Sequence, residues 1–177
     1  MIILVLGGAR SGKSRYAIKY AEGLSNFSNF YYIATAQAMD EEMKKRIERH
    51  KKERGDKWKL IEEPLDLCKV LKKFEKNSVA LIDCLTLWIT NLMMKNYSLE
   101  ESFKRFFQEL KTFKNKPDIY IICVANEVGL GIVPDSSLGR KFRDYAGFLN
   151  QKIAELADEV YFVVAGCPLI LKSMKNS

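Results

Sequence analysis

Apolar residues in this chain fall into short unbroken blocks, separated by longer stretches in which they recur every three or four positions. The blocks at 2–6, 30–35, 79–82, 119–124 and 160–164 have the length and composition of strands. A block without polar alternation belongs to a strand covered on both faces, as in a parallel sheet. Helical spacing runs over 14–24, 39–54, 64–74, 99–113 and 138–157, and a last short block at 169–171 predicts an edge strand. Strand and helix alternate, which predicts an α/β fold: a mostly parallel sheet flanked by helices on both faces. Turn-rich connections lie at 115–118 and 129–137, and the second is a candidate active-site loop at a strand end.

A length of 177 residues suits one domain over 1–177. No apolar run approaches the roughly 18 residues of a membrane span. The apolar run at 2–6 leads straight into a glycine-rich segment, so it reads as a buried strand and not as a signal peptide. A soluble, cytoplasmic protein is expected. Cys68, Cys84, Cys123 and Cys167 have neither paired spacing nor partner histidines, which predicts reduced, mostly buried thiols. The formal net charge of +7 is compatible with nucleic acid, an acidic surface or phosphorylated small molecules. Much of the excess lies between Lys44 and Lys59 among Glu48, Glu53 and Asp56, a pattern of a solvated helix face.

The chemistry begins at Gly7, Gly8, Ala9, Arg10, Ser11, Gly12, Lys13 and Ser14, which fit the phosphate-loop pattern G-x-x-x-x-G-K-[ST] between a strand and a helix. A triphosphate needs many donors close together, and glycine lets backbone N–H groups curl around its oxygens. Lys13 would neutralise charge near the β and γ phosphates, the Ser14 hydroxyl would ligate Mg²⁺, and the helix would turn its positive end to the anion. Asp83 ends the apolar block at 79–82, the position of a second magnesium-site element in phosphoryl-transfer proteins. Without the upstream loop, such an aspartate would read as a turn former.

His50 is the sole histidine. Stepping by three or four from Met39 through Met43 and Ile47 reaches His50 and then Arg54, a helix face that begins apolar and ends basic. A free imidazole nitrogen there can attack phosphorus, while packing or surface exposure is the plainer role for a single helical histidine. Both readings stay open at the level of the residues. Thr35, Ala36 and Gln37 follow the second strand, where they would bond nucleotide or substrate, or cap the next helix. Glu62 offers two acceptors matching the N1–H and N2–H₂ donors of guanine, and reads equally as a surface glutamate.

Taken together, GGARSGKS at 7–14, YIATAQ at 32–37, RIERHKKERG at 46–55, ANEVGLGIVP at 125–134, FRDYAGFLNQ at 142–151 and ADEVYFVVAG at 157–166 closely resemble one family. That family is adenosylcobinamide kinase / adenosylcobinamide-phosphate guanylyltransferase. The resemblance implies a RecA-like phosphate-loop NTPase fold and a homotrimer. It implies phosphorylation of adenosylcobinamide by ATP or GTP, then transfer of GMP from GTP to adenosylcobinamide phosphate through a guanylylated histidine. The motif puts that role on His50. The implied nucleotide contacts are Gly7 to Ser14, Thr35, Ala36, Gln37, Glu53, Arg54, Gly55, Asp56, Glu62 and Asp83, with Lys13 and Asp83 catalytic and Ser14 and Asp83 on Mg²⁺. Two other readings stand beside it: a phosphate-loop kinase for another small molecule with a structural His50, and a nucleic-acid module suggested by the charge. The second lacks an arginine-rich stripe with interleaved aromatics, so no nucleic-acid partner is expected.

Overall fold

A computed structural model describes residues 1–37 and 55–173. The helix expected at 39–54 lies outside the described residues, as do His50, Glu53 and Arg54. The described chain runs β1 (Ile2–Gly7), α1 (Lys13–Glu22), β2 (Asn29–Ala34), β3 (Trp58–Glu62), α2 (Leu67–Leu71), β4 (Ser78–Asp83), α3 (Leu85–Met94), α4 (Leu99–Lys111), β5 (Ile119–Asn126), α5 (Ser137–Leu156), β6 (Glu159–Val164) and β7 (Cys167–Lys172). The strands form one seven-stranded sheet in the order β3-β2-β4-β5-β1-β6-β7. Pairing is parallel from β3 through β6, and β7 returns antiparallel on β6. Six strands therefore end on one rim, and the loops that follow them share it.

The central strands are apolar throughout because each of their faces packs on helices. Ile3, Val5, Val79, Leu81, Ile122 and Val124 meet Ala17, Ile18 and Ala21 of α1. The alternate residues Ile2, Leu4, Ala80, Ile82, Ile121 and Cys123 meet Trp88, Phe103, Phe106, Leu149 and Ile153 from α3, α4 and α5. The α4 helix starts where the Ser98 side chain accepts from the Glu101 N–H, and it buries Leu99, Phe103, Phe106 and Leu110 as one stripe.

Three elements differ from expectation. The α3 helix was missed because Leu85–Met94 is apolar on nearly every side, which suits a buried helix but erases the helical period. The β3 strand was missed because it is an edge strand in which only Trp58 is fully buried. The helix expected at 64–74 contracts to Leu67–Leu71: Glu63 accepts from the N–H groups of Leu65 and Asp66, and Asp66 then caps Lys69. Cys68, Cys84 and Cys123 are buried free thiols and Cys167 is an exposed one. Burial pushes the Cys84 thiol up to about 11 and Cys123 up to about 12, so both stay neutral. Among the described residues, no helix is long and apolar enough to cross a membrane.

Candidate nucleotide site

Strand register assembles the site. Asp83 stands opposite Ala34 on β2 and Val124 on β5, and Ala34 stands opposite Glu62 on β3. On the other side Val124 pairs with Val5, and two residues further on Asn126 pairs with Gly7. Val124 and Val5 belong to the core under α1, so Asp83, level with Val124, and Asn126, two residues on from it, turn their side chains to that same face, beside Gly7.

At Gly7 the chain leaves the sheet for the glycine-rich loop. A Cβ on Gly7 would lie 2.5 Å from Ser11 Oγ and 2.6 Å from the Val163 carbonyl, so only glycine permits this exit. The loop closes on itself through Ser11 N–H to Gly8 O at 3.2 Å, and Gly166 N–H donates to Ser11 O at 2.8 Å. Gly12 reaches φ 93 just before α1, a conformation glycine adopts without a Cβ penalty. Lys13 is 6% exposed, and its ammonium donates to Gly8 O at 3.1 Å, back across the loop.

Two observations test whether this cradle suits a phosphate. Gly12 caps α1 without any side-chain acceptor, and no acidic residue occupies the first turn, so the helix presents its amino-terminal N–H groups to a ligand. Among the described residues the buried Ser11 Oγ has no hydrogen-bond partner, a donor that a phosphate oxygen would satisfy. Both fit an anion rich in oxygen acceptors.

Asp83 is fixed by the Tyr32 hydroxyl, which donates to Oδ2 at 2.6 Å. Beside it Thr35, fully buried, ties two strand ends together. Its hydroxyl donates to Cys84 O at 2.7 Å and accepts from Cys84 N–H at 2.9 Å. Asn91 of α3 donates to Thr35 O at 2.8 Å and to Pro64 O at 3.1 Å, so one amide holds the ends of two connections. Thr35 thus serves the rim with every polar group it has, while Ala36 and Gln37 continue from it half-buried. Among the described residues no cluster of three or more His, Cys, Asp or Glu could hold a metal. A hydroxyl from Ser14 and one carboxylate from Asp83 still fit Mg²⁺, which keeps several waters and draws other ligands from substrate phosphates.

Glu62 is exposed at the end of β3, on the same rim as Asp83. Gly55 and Asp56 precede β3, which places them beyond the opposite end of that strand, whose span from Trp58 to Glu62 is about 13 Å at the usual rise per residue. The described chain therefore does not bring those two to the phosphate loop. Residues that sequence reasoning missed are Tyr32, Asn91, Thr86 and Asn126. The last had one signal: it stands in the segment ANEVGLGIVP at 125–134, just past the strand-like block at 119–124.

Residues 3–171 match the model of a family described as cobinamide kinase / cobinamide phosphate guanyltransferase. The chain is 44% identical over 174 residues to the bifunctional adenosylcobalamin biosynthesis protein CobP of Pseudomonas aeruginosa, covering 96% of each. It is 38% identical over 184 residues to the bifunctional adenosylcobalamin biosynthesis protein CobU of Escherichia coli, covering 97% of this chain and 100% of that one. Among solved structures, the flagellar accessory protein FlaH from Methanocaldococcus jannaschii aligns with a TM-score of 0.51 at 18% identity, over 97% of this chain and 78% of that one. An ATPase from a bacterial type III secretion system aligns with a TM-score of 0.63 at 12% identity, over 91% of this chain and 50% of that one. At such identities the likeness is one of fold alone, that of the phosphate-loop NTPases.

Proposed function

Because the chain belongs to the cobinamide kinase / cobinamide phosphate guanyltransferase family, we propose that it catalyses both reactions in adenosylcobalamin biosynthesis. It phosphorylates the hydroxyl of adenosylcobinamide with ATP or GTP. It then transfers GMP from GTP to that phosphate, releasing pyrophosphate and forming adenosylcobinamide-GDP. The observation that carries this reading is a match over nearly the whole chain, joined to a glycine cradle that folds Lys13 over its own loop.

In the kinase step the substrate oxygen forms a bond to the γ phosphorus as the bond to the β–γ bridging oxygen breaks. Lys13 and the loop N–H groups stabilise the charge that grows on the leaving diphosphate. In the second reaction His50 is the proposed nucleophile: a ring nitrogen bonds to the α phosphorus of GTP and pyrophosphate departs. An oxygen of the substrate phosphate then displaces the nitrogen. The motif RIERHKKERG and the lack of any other histidine support this role. Ser14 and Asp83 would hold Mg²⁺, which supplies positive charge to the phosphate oxygens. Ala36, Gln37 and Glu62 are proposed nucleotide contacts on the same rim, Glu62 reading guanine. A cytoplasmic homotrimer is proposed from the same resemblance, and the exposed side chains Leu130, Ile132 and Val133 offer apolar surface for assembly.

Incubation with α-labelled GTP and Mg²⁺ tests the guanylyl step. The wild-type chain should gain the mass of GMP on His50, and His50→Ala should bind GTP yet stay unlabelled. A wild-type protein that never takes up label overturns guanylyl transfer, and equal labelling of the variant removes His50 from it.

A further inference from the structure

Asn126 ends β5, the strand lying between the phosphate-loop strand β1 and the Asp83 strand β4. Register sets it beside Gly7, one pleat beyond Val124, which stands opposite Asp83. Alternation turns its side chain to the α1 face, so it stands between the loop and Asp83. Its main chain is clamped from two helices. The N–H donates to Thr86 Oγ1 at 2.7 Å, and the carbonyl accepts from Asn150 Nδ2 at 3.3 Å. Thr86 and Asn150 are each only 7% exposed. Two buried polar side chains thus fix the backbone of a single residue.

The mount carries an unfilled group. Asn126 Oδ1 is buried and has no hydrogen-bond partner among the described residues. Folded proteins pair nearly all buried acceptors, so a rigidly held orphan at a site rim calls for a donor from outside the chain. In the proposed kinase reaction the donor that must come to the terminal phosphorus on this rim is the substrate hydroxyl.

We propose that Asn126 Oδ1 accepts the hydrogen bond of the substrate hydroxyl that attacks the γ phosphorus; the proposal rests on the kinase reading above. As the O–P bond forms, the bond from γ phosphorus to the bridging oxygen breaks and its electron pair leaves with the nucleoside diphosphate. The hydroxyl proton passes to an oxygen of the transferred phosphoryl group. The amide oxygen takes no proton. It turns the O–H aside so that a lone pair faces phosphorus, and misplacement of such a group on the order of 1 Å costs about 100-fold in rate.

Steady-state kinetics with ATP and adenosylcobinamide test this in Asn126→Ala and Asn126→Asp, alongside thermal melting and titration with a fluorescent ATP analogue. For Asn126→Ala, kcat should fall about 100-fold. Nucleotide affinity should stay within about threefold, and the melting temperature should not drop, since Oδ1 makes no bond among the described residues. Asn126→Asp keeps an acceptor oxygen at the same reach and should recover at least about tenfold over the alanine variant. A kcat within threefold of wild type for Asn126→Ala, an aspartate variant no better than alanine, or rate loss that tracks lost melting temperature would each overturn the proposal. Wild-type protein that binds ATP but forms no phosphorylated corrinoid sinks the kinase reading itself, and this proposal with it.

Discussion

Two loops leave neighbouring strands on the same rim, and they are built on opposite plans. The loop after β1 turns within a few residues and is held chiefly by backbone pairs, Ser11 N–H to Gly8 O and Gly166 N–H to Ser11 O, with the buried Lys13 ammonium added on Gly8 O. The loop after β5 runs from Glu127 to Ser136 and is held by side chains that reach back from α5. Arg140 donates to the carbonyls of Pro134 and Asp135, and Arg143 donates to Gly129 O. Its tip is open, with Leu130 82% and Ile132 96% exposed. A loop wound on backbone sterics presents fixed donors, which is what phosphate binding requires. A loop pinned by solvent-exposed arginine hydrogen bonds presents apolar surface and can shift without disturbing the sheet.

The sharpest break of this comparison is Lys13→Ala. The ammonium is a charged group folded across the first loop, and each proposed reaction builds negative charge on a leaving phosphate. Both kinase and guanylyl-transfer rates should fall at least about 100-fold, with weaker GTP binding by titration. Retention of full kinase activity would detach the first loop from the chemistry.

Paired glycine substitutions come next. An alanine methyl at Gly7 would lie 2.6 Å from the Val163 carbonyl, a backbone group fixed by β1–β6 pairing. Gly7→Ala should therefore cost about 1–3 kcal/mol in urea denaturation. At Gly129 the methyl would meet only the far end of Glu127, at 2.9 Å, a flexible side chain that can swing aside while water replaces its hydrogen bond from the Gly129 N–H. Gly129→Ala should stay within about 0.5 kcal/mol of wild type. Equal losses at the two glycines would erase the distinction between a fixed cradle and a tolerant loop.

The same contrast explains what was legible beforehand. The first loop, its strand and Asp83 are local patterns, because a glycine-rich exit and a strand-end carboxylate are specified within a few neighbouring residues. The parallel strands were legible because burial on both faces leaves continuous apolar blocks. What stayed hidden depends on partners far along the chain. Thr35 closes on Cys84 across 49 positions and receives Asn91 across 56, ties that no periodicity announces. The α3 helix vanished into uniform apolarity, and the separation of Asp56 from Glu62 follows only from the intervening strand. Asn126 stood out in sequence only as part of ANEVGLGIVP at 125–134; its place beside Gly7 and its unpartnered oxygen are set by strand pairing and packing, which no local pattern shows.

The smallest expected effect probes the second loop alone. Arg143 holds Gly129 O at 2.8 Å through one solvent-exposed hydrogen bond. Water replaces such a bond readily, so Arg143→Ala should change global stability by no more than about 1 kcal/mol. The opening free energy of the loop should fall instead. Amide exchange near Gly129 should quicken, and limited proteolysis between residues 129 and 133 should speed up several-fold, while amides of β1 and β5 keep their protection. If the substitution instead lowers stability as far as Gly7→Ala does, the arginine tether is part of the rim itself, and the two loops answer to one plan after all.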